Sequence, residues 1–200
     1  MSLNEQTKTS ASRIALIPAR GGSKGIKGKN LRQLLGRPLV TWPIQAAIQA
    51  GVFDRILCST DSPEIADVAH NAGAEILGLR PEYLSRDETS TAEVIEHVIS
   101  ELESSHEIDV STSLTLLEPT SPLTSKDDIV KALDKFEKSN CTSLVSISPL
   151  VSGHPDFSFK MDNNSGEIKH LQSGDWVHKR RQDISELYFL DGSLYISKVD

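Results

Sequence analysis

Cysteine is nearly absent: Cys58 and Cys141 are the two in 200 residues. They stand far apart, without C-x-x-C spacing or an adjacent histidine. That excludes a disulfide framework and a cysteine-based zinc site, and it predicts buried, reduced thiols in a cytoplasmic protein. Long apolar runs are missing too. No stretch approaches the roughly 18 residues of a membrane span, and the polar segment Met1 to Ser12 lacks the hydrophobic centre of a signal peptide, so residues 1–12 are expected to form a disordered tail. Positive charge is in the minority, with 21 Lys and Arg against 28 Asp and Glu for a net charge of -7, which excludes a general nucleic-acid or membrane-surface binder. The six histidines never fall into an H-E-x-x-H spacing, and no internal repeat or low-complexity tract is visible. What remains is a hydrophobic content of 38%, enough for one domain to bury roughly 70% of its unfolded surface.

Against this acidic background one segment stands out. Ala19 to Asn30 (ARGGSKGIKGKN) collects four glycines with Arg20, Lys24, Lys27 and Lys29, directly after the apolar run Ile14 to Pro18. Glycines at 21, 22, 25 and 28 are expected to carry the backbone through φ > 0 so that several N–H groups point into one concavity. The cations then supply charge-assisted donors to phosphate oxygens. A Walker A loop does not fit, because five residues separate Gly22 from Gly28 and Asn30 follows Lys29. An ordinary solvated loop has the same composition. The position after a strand and before a helix favours the ligand reading, since α/β folds bind beyond the carboxyl ends of their strands.

Short apolar strands alternate with helical patterns. Strands are expected at Ile14 to Pro18, Arg55 to Ser59, Glu75 to Leu79, Ser113 to Leu117 and Ser143 to Ser148. Between them lie a helix capped by Thr41 and stopped at Gly51, a helix opened by Ser62-Pro63-Glu64 and closed by Gly73, a helix near Ala92 to Leu102, and a helix capped by Ser125 with Asp127 and Asp128 in its first turn. This order predicts an α/β, Rossmann-like three-layer α/β/α sandwich with a mostly parallel sheet. Beyond Pro149 the rhythm changes. Phe157 to Met161 and Glu167 to Leu171 flank Asp162 to Gly166 and predict a β-hairpin with too little core of its own, either the dimerisation arm of a homodimer or a hairpin folded back on its own sheet. Ser193 to Ser197 alternates like a strand returning to the sheet.

Three groups of residues, taken together, carry a family resemblance: Ile17 to Leu31 with its Arg20-Gly21-Gly22-Ser23-Lys24-Gly25 and Lys29-Asn30, then Ser59-Thr60-Asp61, Arg80-Pro81-Glu82 and Glu118-Pro119-Thr120-Ser121-Pro122-Leu123, and finally Arg181-Gln182 and Asp191-Gly192. The chain resembles the acylneuraminate cytidylyltransferases, or CMP-sialic acid synthetases, over Ile14 to Lys198. The resemblance implies a single nucleotidyltransferase domain over 13–200, with the hairpin as an insertion at about 150–178. It implies a reaction in which the anomeric hydroxyl of a 2-keto sugar acid, of the sialic, legionaminic or pseudaminic acid type, attacks the α-phosphate of CTP and expels pyrophosphate. Arg20 and Lys29 are the implied catalytic cations, with Lys29 nearest the developing charge. Gly21, Gly22, Ser23, Lys24, Asn30, Thr89, Thr91, Glu118, Pro119, Thr120 and Ser121 complete the implied nucleotide set.

Glu118 stands where the family usually carries Gln. A carboxylate accepts from cytosine N4–H₂ yet cannot donate to O2 or N3 as an amide does. Thr124 replaces a customary Arg. On the sugar side, the resemblance implies that Arg181 clamps the substrate carboxylate, with Gln182, Asp191 and Gly192 around it, Asp191 replacing the usual Asn. His154 occupies a family-like position, and a lone histidine there reads first as structural. Mg²⁺ is implied through two aspartates in a segment beyond Asp200. No ligand for it is identified within the 200 residues, where Asp61 and Asp191 are the carboxylates in plausible places. The alternatives are a catalytically impaired CTP-binding dimeric module and nucleotidyl transfer to another sugar.

Overall fold

The computed structural model describes residues 13–23, 25–150, 152–171 and 180–199. The expectations for residues 1–12 and for Lys24 therefore lie outside the described residues. Two compact units are present, one formed by residues up to Val145 together with the stretch from Gly192, the other by Ser146–Asp191. The chain enters and leaves the second unit within two of its strands.

The first unit is built on β1 (Arg13–Pro18), β4 (Arg55–Ser59) and β5 (Ser113–Leu117). β1 lies between β4 and β5 and pairs parallel with both. β9 (Tyr188–Lys198) joins β5 antiparallel, and β6 (Ser143–Pro149) follows it, giving the order β4-β1-β5-β9-β6. The sheet is thus mainly parallel with an antiparallel insertion. β1 reads as a continuous apolar run because both its faces are covered. Ala15 and Ile17 of β1 pack with Ile44 of α1 (Thr41–Ala50), Ile65 and Ala69 of α2 (Pro63–Asn71) and Ile129 and Leu133 of α4 (Lys126–Ser139). Their neighbours Ile14 and Leu16 point the other way, onto Val98 and Leu102 of α3 (Thr91–Ser104). This alternation is the three-layer α/β/α arrangement expected from the order of elements.

Two local expectations need correction. Glu75 to Leu79 is no regular strand: it touches β4 through two bridges, Leu57 with Glu75 and Thr60 with Leu79, and Gly78 interrupts the run between them. Thr41 does not cap α1; that position falls to Val40, and the Thr41 hydroxyl donates to the Pro38 carbonyl at 2.8 Å. A short hairpin of β2 (Gln33–Leu34) and β3 (Arg37–Pro38), absent from the sequence reading, turns through Leu35 and Gly36 at φ of 50° and 80°. α3 contains the stretch expected near Ala92 to Leu102 and begins at Thr91, where Ser90 and Glu93 form a reciprocal capping box.

The other punctuation is as read. Ser62 accepts from the Ile65 N–H ahead of Pro63, Gly51 closes α1 in the left-handed region, and Ser125 caps α4 with Asp128. In the second unit, β7 (Phe159–Met161) and β8 (Ile168–His170) pair antiparallel across a turn in which the Asp162 carboxylate accepts from the N–H groups of Asn164 and Ser165. Both cysteines are free. Cys58 is buried and its thiol is pushed up to about 12 by desolvation, whereas Cys141 is only half-buried, contrary to the expectation for both.

Candidate active site

β1 ends at Pro18, and the glycine- and lysine-rich segment begins at once. Its first residues are held tightly. The Ala19 N–H donates to the Ser59 carbonyl at 2.9 Å, and the Gly21 N–H donates to Asp61 Oδ1 at 2.8 Å. The Asn30 side-chain amide donates to the Arg20 carbonyl at 2.9 Å. Two of the N–H groups expected to face a ligand are therefore consumed within the protein. Only Gly28 of the four glycines takes a positive φ, 63°, where it opens the 3₁₀ turn Lys29–Leu31. Gly21 is crowded for a different reason: a Cβ there would lie 3.1 Å from Ser62 Cβ, a contact the turn would have to relieve by a few tenths of an ångström.

Above this segment lies a cleft of about 520 Å³. The loop contributes Arg20, Ser23, Lys29 and Asn30 to its walls, the start of α3 contributes Thr89 and Thr91, and the end of β5 contributes Glu118, Pro119 and Thr120. All nine come from the sequence reading. Gly21 and Gly22 do not line the cleft, and Ser121 instead donates its hydroxyl to the Gly192 carbonyl at 3.1 Å. The cleft also contains residues the sequence reading did not place there, notably Arg80 and Asp87. Arg20 meets Asp87 at 2.8 Å, each side chain about one-third exposed. Asn30 is 4% exposed, and its Oδ1 is buried without a partner among the described residues.

Arg80 is the buried cation of the site, 7% exposed. Its guanidinium donates to the Ser59 hydroxyl at 3.2 Å and carbonyl at 2.5 Å, and to the Leu84 carbonyl at 3.4 Å. Burial lowers its pKa, while the Asp61 carboxylate works in the opposite direction. Glu118 shows the converse: burial raises its carboxyl above the usual range, and Lys29 pulls it back. An Arg inside an R-P-E tripeptide has no periodic signal of burial. Its position one element after β4, in an otherwise polar loop, was the available clue.

Arg181, Gln182, Asp191 and His154 belong to the second unit, and Gly192 begins the return to the first. Arg181–Asp183 form a 3₁₀ turn, in which Gln182 is exposed. Both carboxylate oxygens of Asp191 accept hydroxyl donors, from Ser146 at 2.5 Å and Ser148 at 2.8 Å, which accounts for a carboxylate where an amide was expected. His154 is structural: Nδ1 accepts from the Asp156 N–H and Nε2 meets the Ser185 carbonyl. For Mg²⁺ the fit is poor. Among the described residues no group of three His, Cys, Asp or Glu side chains could hold a metal ion, and Asp61 and Asp191 are engaged as described.

A mainly parallel sheet with helices on both sides and a cleft lined by Arg20, Lys29 and Arg80 beyond the carboxyl ends of β1 and β5 defines an α/β protein with its ligand site where such folds bind. The solved structure of a CMP:2-keto-3-deoxy-manno-octonic acid synthetase complexed with CTP shares this fold, with a TM-score of 0.67 and 16% identity, over 94% of this chain and 74% of that one. A sequence model of the family described as cytidylyltransferase matches residues 14–196, and the chain belongs to that family. It is 38% identical over 185 residues to a CMP-N,N'-diacetyllegionaminic acid synthase of Legionella pneumophila, covering 92% of this chain and 77% of that protein. It is also 38% identical over 138 residues to an N-acylneuraminate cytidylyltransferase of Escherichia coli, where it spans 31% of the longer protein.

Proposed function

We propose that this chain transfers CMP from CTP to the anomeric hydroxyl of a 2-keto sugar acid of the sialic, legionaminic or pseudaminic type, releasing pyrophosphate. The observation that carries the reading is the gathering of Arg20, Lys29, Asn30 and Glu118 in one cleft of a cytidylyltransferase-family chain. The hydroxyl oxygen bonds to the α-phosphorus as the bridging oxygen to the β-phosphate leaves with pyrophosphate, and the hydroxyl proton passes to water. Such transfer is catalysed by positioning and by neutralising charge on the non-reacting oxygens. Arg20 and Lys29 would supply that charge.

Arg20 is paired with Asp87 in the free protein. A pair this exposed is worth about 1 kcal/mol or less, so a triphosphate can take over the guanidinium at small cost. Thr89, Thr91, Thr120 and the buried Asn30 Oδ1 offer neutral hydrogen-bonding groups for the nucleoside, and Glu118 faces the same space.

Magnesium belongs to this proposal as a requirement inherited from the family, and the described residues contribute no ligand set for it. Homodimerisation is proposed on the second unit's own surface: Met161 and Ile168 of the hairpin are 63% and 59% exposed, and Phe189 and Leu190 are 47% and 60% exposed. A set of apolar side chains of this size invites a partner.

The test is pyrophosphate release from CTP and UTP against a panel of keto sugar acids, with and without Mg²⁺. Release with CTP and one nine-carbon keto sugar acid is the expected pattern. Thermal stabilisation by CTP with no turnover on any acid would instead assign a binding module.

A further inference from the structure

The carboxylate of Asp61 does not line the cleft, yet it meets two of the elements that build it. Oδ1 accepts the Gly21 N–H at 2.8 Å, and the same side chain is the attractive countercharge for buried Arg80. Its own backbone is fixed. Thr60 is fully buried, its hydroxyl accepts the Ser62 N–H at 3.1 Å, and Ser62 caps α2. Gly21 approaches this turn so closely that an added Cβ would sit 3.1 Å from Ser62 Cβ and 3.7 Å from Asp61 Oδ2. On the other side of Arg20, Asn30 holds the Arg20 carbonyl, and Ala19 is tied to Ser59. The backbone either side of Arg20 is therefore pinned to the end of β4, and the one side chain in that set reaching across from the β4–α2 turn is Asp61.

We propose that Asp61 is a positioning residue for nucleotide binding: its hydrogen bond to the Gly21 N–H latches the phosphate segment onto the β4–α2 turn and so aims Arg20 into the cleft. The inference rests on the reading of the cleft as a CTP site. A latch of this kind acts by preorganisation, since a cationic loop fixed before binding loses less conformational freedom when the triphosphate arrives. The acceptor oxygen is the active feature, and the negative charge is secondary. Engagement with Gly21 also leaves Asp61 poorly disposed to serve as a metal ligand.

The experiment measures CTP affinity by calorimetry in EDTA, where a lost metal ligand has no effect, for wild type, Asp61→Ala and Asp61→Asn, with the melting temperature followed in parallel. Asparagine keeps an acceptor oxygen and removes the charge. The latch predicts at least tenfold weaker CTP binding for Asp61→Ala, recovery to within threefold of wild type for Asp61→Asn, and, in separate turnover assays with Mg²⁺ and saturating CTP, a KM for the sugar acid that stays within twofold. Equal affinity of Asp61→Ala and wild type overturns the latch, and so does equal weakening in both variants. If Asp61→Ala has no folding transition, Asp61→Leu serves in its place, since it fills the same space without an acceptor oxygen; unchanged CTP affinity there overturns the latch as well. Absence of any CTP heat with wild type sinks the nucleotide reading itself, which keeps the two failures distinct.

Discussion

Glu118 follows β5 directly, in a place where water cannot fully support its charge, and burial raises its pKa against the pull of Lys29. In the unfolded chain the same carboxyl ionises near the ordinary glutamate value of ~4.3. As pH rises through the interval between the two values, the unfolded state releases its proton first, so folding stability falls and stays lower above the folded pKa. Glu118→Gln removes this penalty. Its melting temperature should exceed that of wild type at pH 7, and the gap should shrink as the pH is lowered toward about 4, in thermal scans across that range; a gap that widens on acidification contradicts the burial account. Lys29→Ala should leave the fold intact and weaken CTP binding or turnover at least tenfold, in line with the roughly 10²–10³ in rate that one preorganised donor supplies; unchanged kinetics remove it from the site. The phosphate segment was legible because glycine and cations cluster there against an acidic chain. Arg80 and Asp87 were not, since an isolated charge in a polar loop does not announce whether it is buried or what it faces.

Among the elements, caps were the most readable features, and turns built from unexpected residues the least. Ser125 with Asp127 and Asp128 marks the start of α4, and the reciprocal bonds of Ser125 and Asp128 are present. Ser125→Ala should cost about 1 kcal/mol in chemical denaturation, with CTP affinity unchanged because this cap lies outside the cleft. The β2–β3 hairpin escaped notice because its turn places Leu35, 85% exposed, at φ 50°, where Asn or Gly is the usual choice. Leu35→Asn should therefore stabilise the protein by up to about 1 kcal/mol in the same assay; a loss of stability would mean that the exposed side chain has a packing role. Glu75 to Leu79 read as a strand on its apolar residues. Pairing needs a continuous ladder, and Gly78 breaks this one into two bridges.

For the molecule as a whole, the alternation of strands and helices was enough to specify the layers. The β1 run Ile14 to Pro18 had to be covered on both faces, and helices were the only elements available to cover it. The antiparallel insertion of β9 between β5 and β6 was not legible, because periodicity records which face is apolar and says nothing of neighbour or direction. Assembly belongs at this scale too. Light scattering at micromolar concentration should give twice the chain mass, and Ile168→Asp should shift it toward the monomer; a monomeric wild type refutes the arm. The chain's net charge of -7 makes the cationic cleft a local exception, and locating a bound triphosphate tests it most directly. Crystals soaked with CTP should show the phosphates against Arg20 and Lys29 and the nucleoside toward Thr89, Thr91 and Glu118, whereas an empty loop with the nucleotide bound elsewhere would contradict the account.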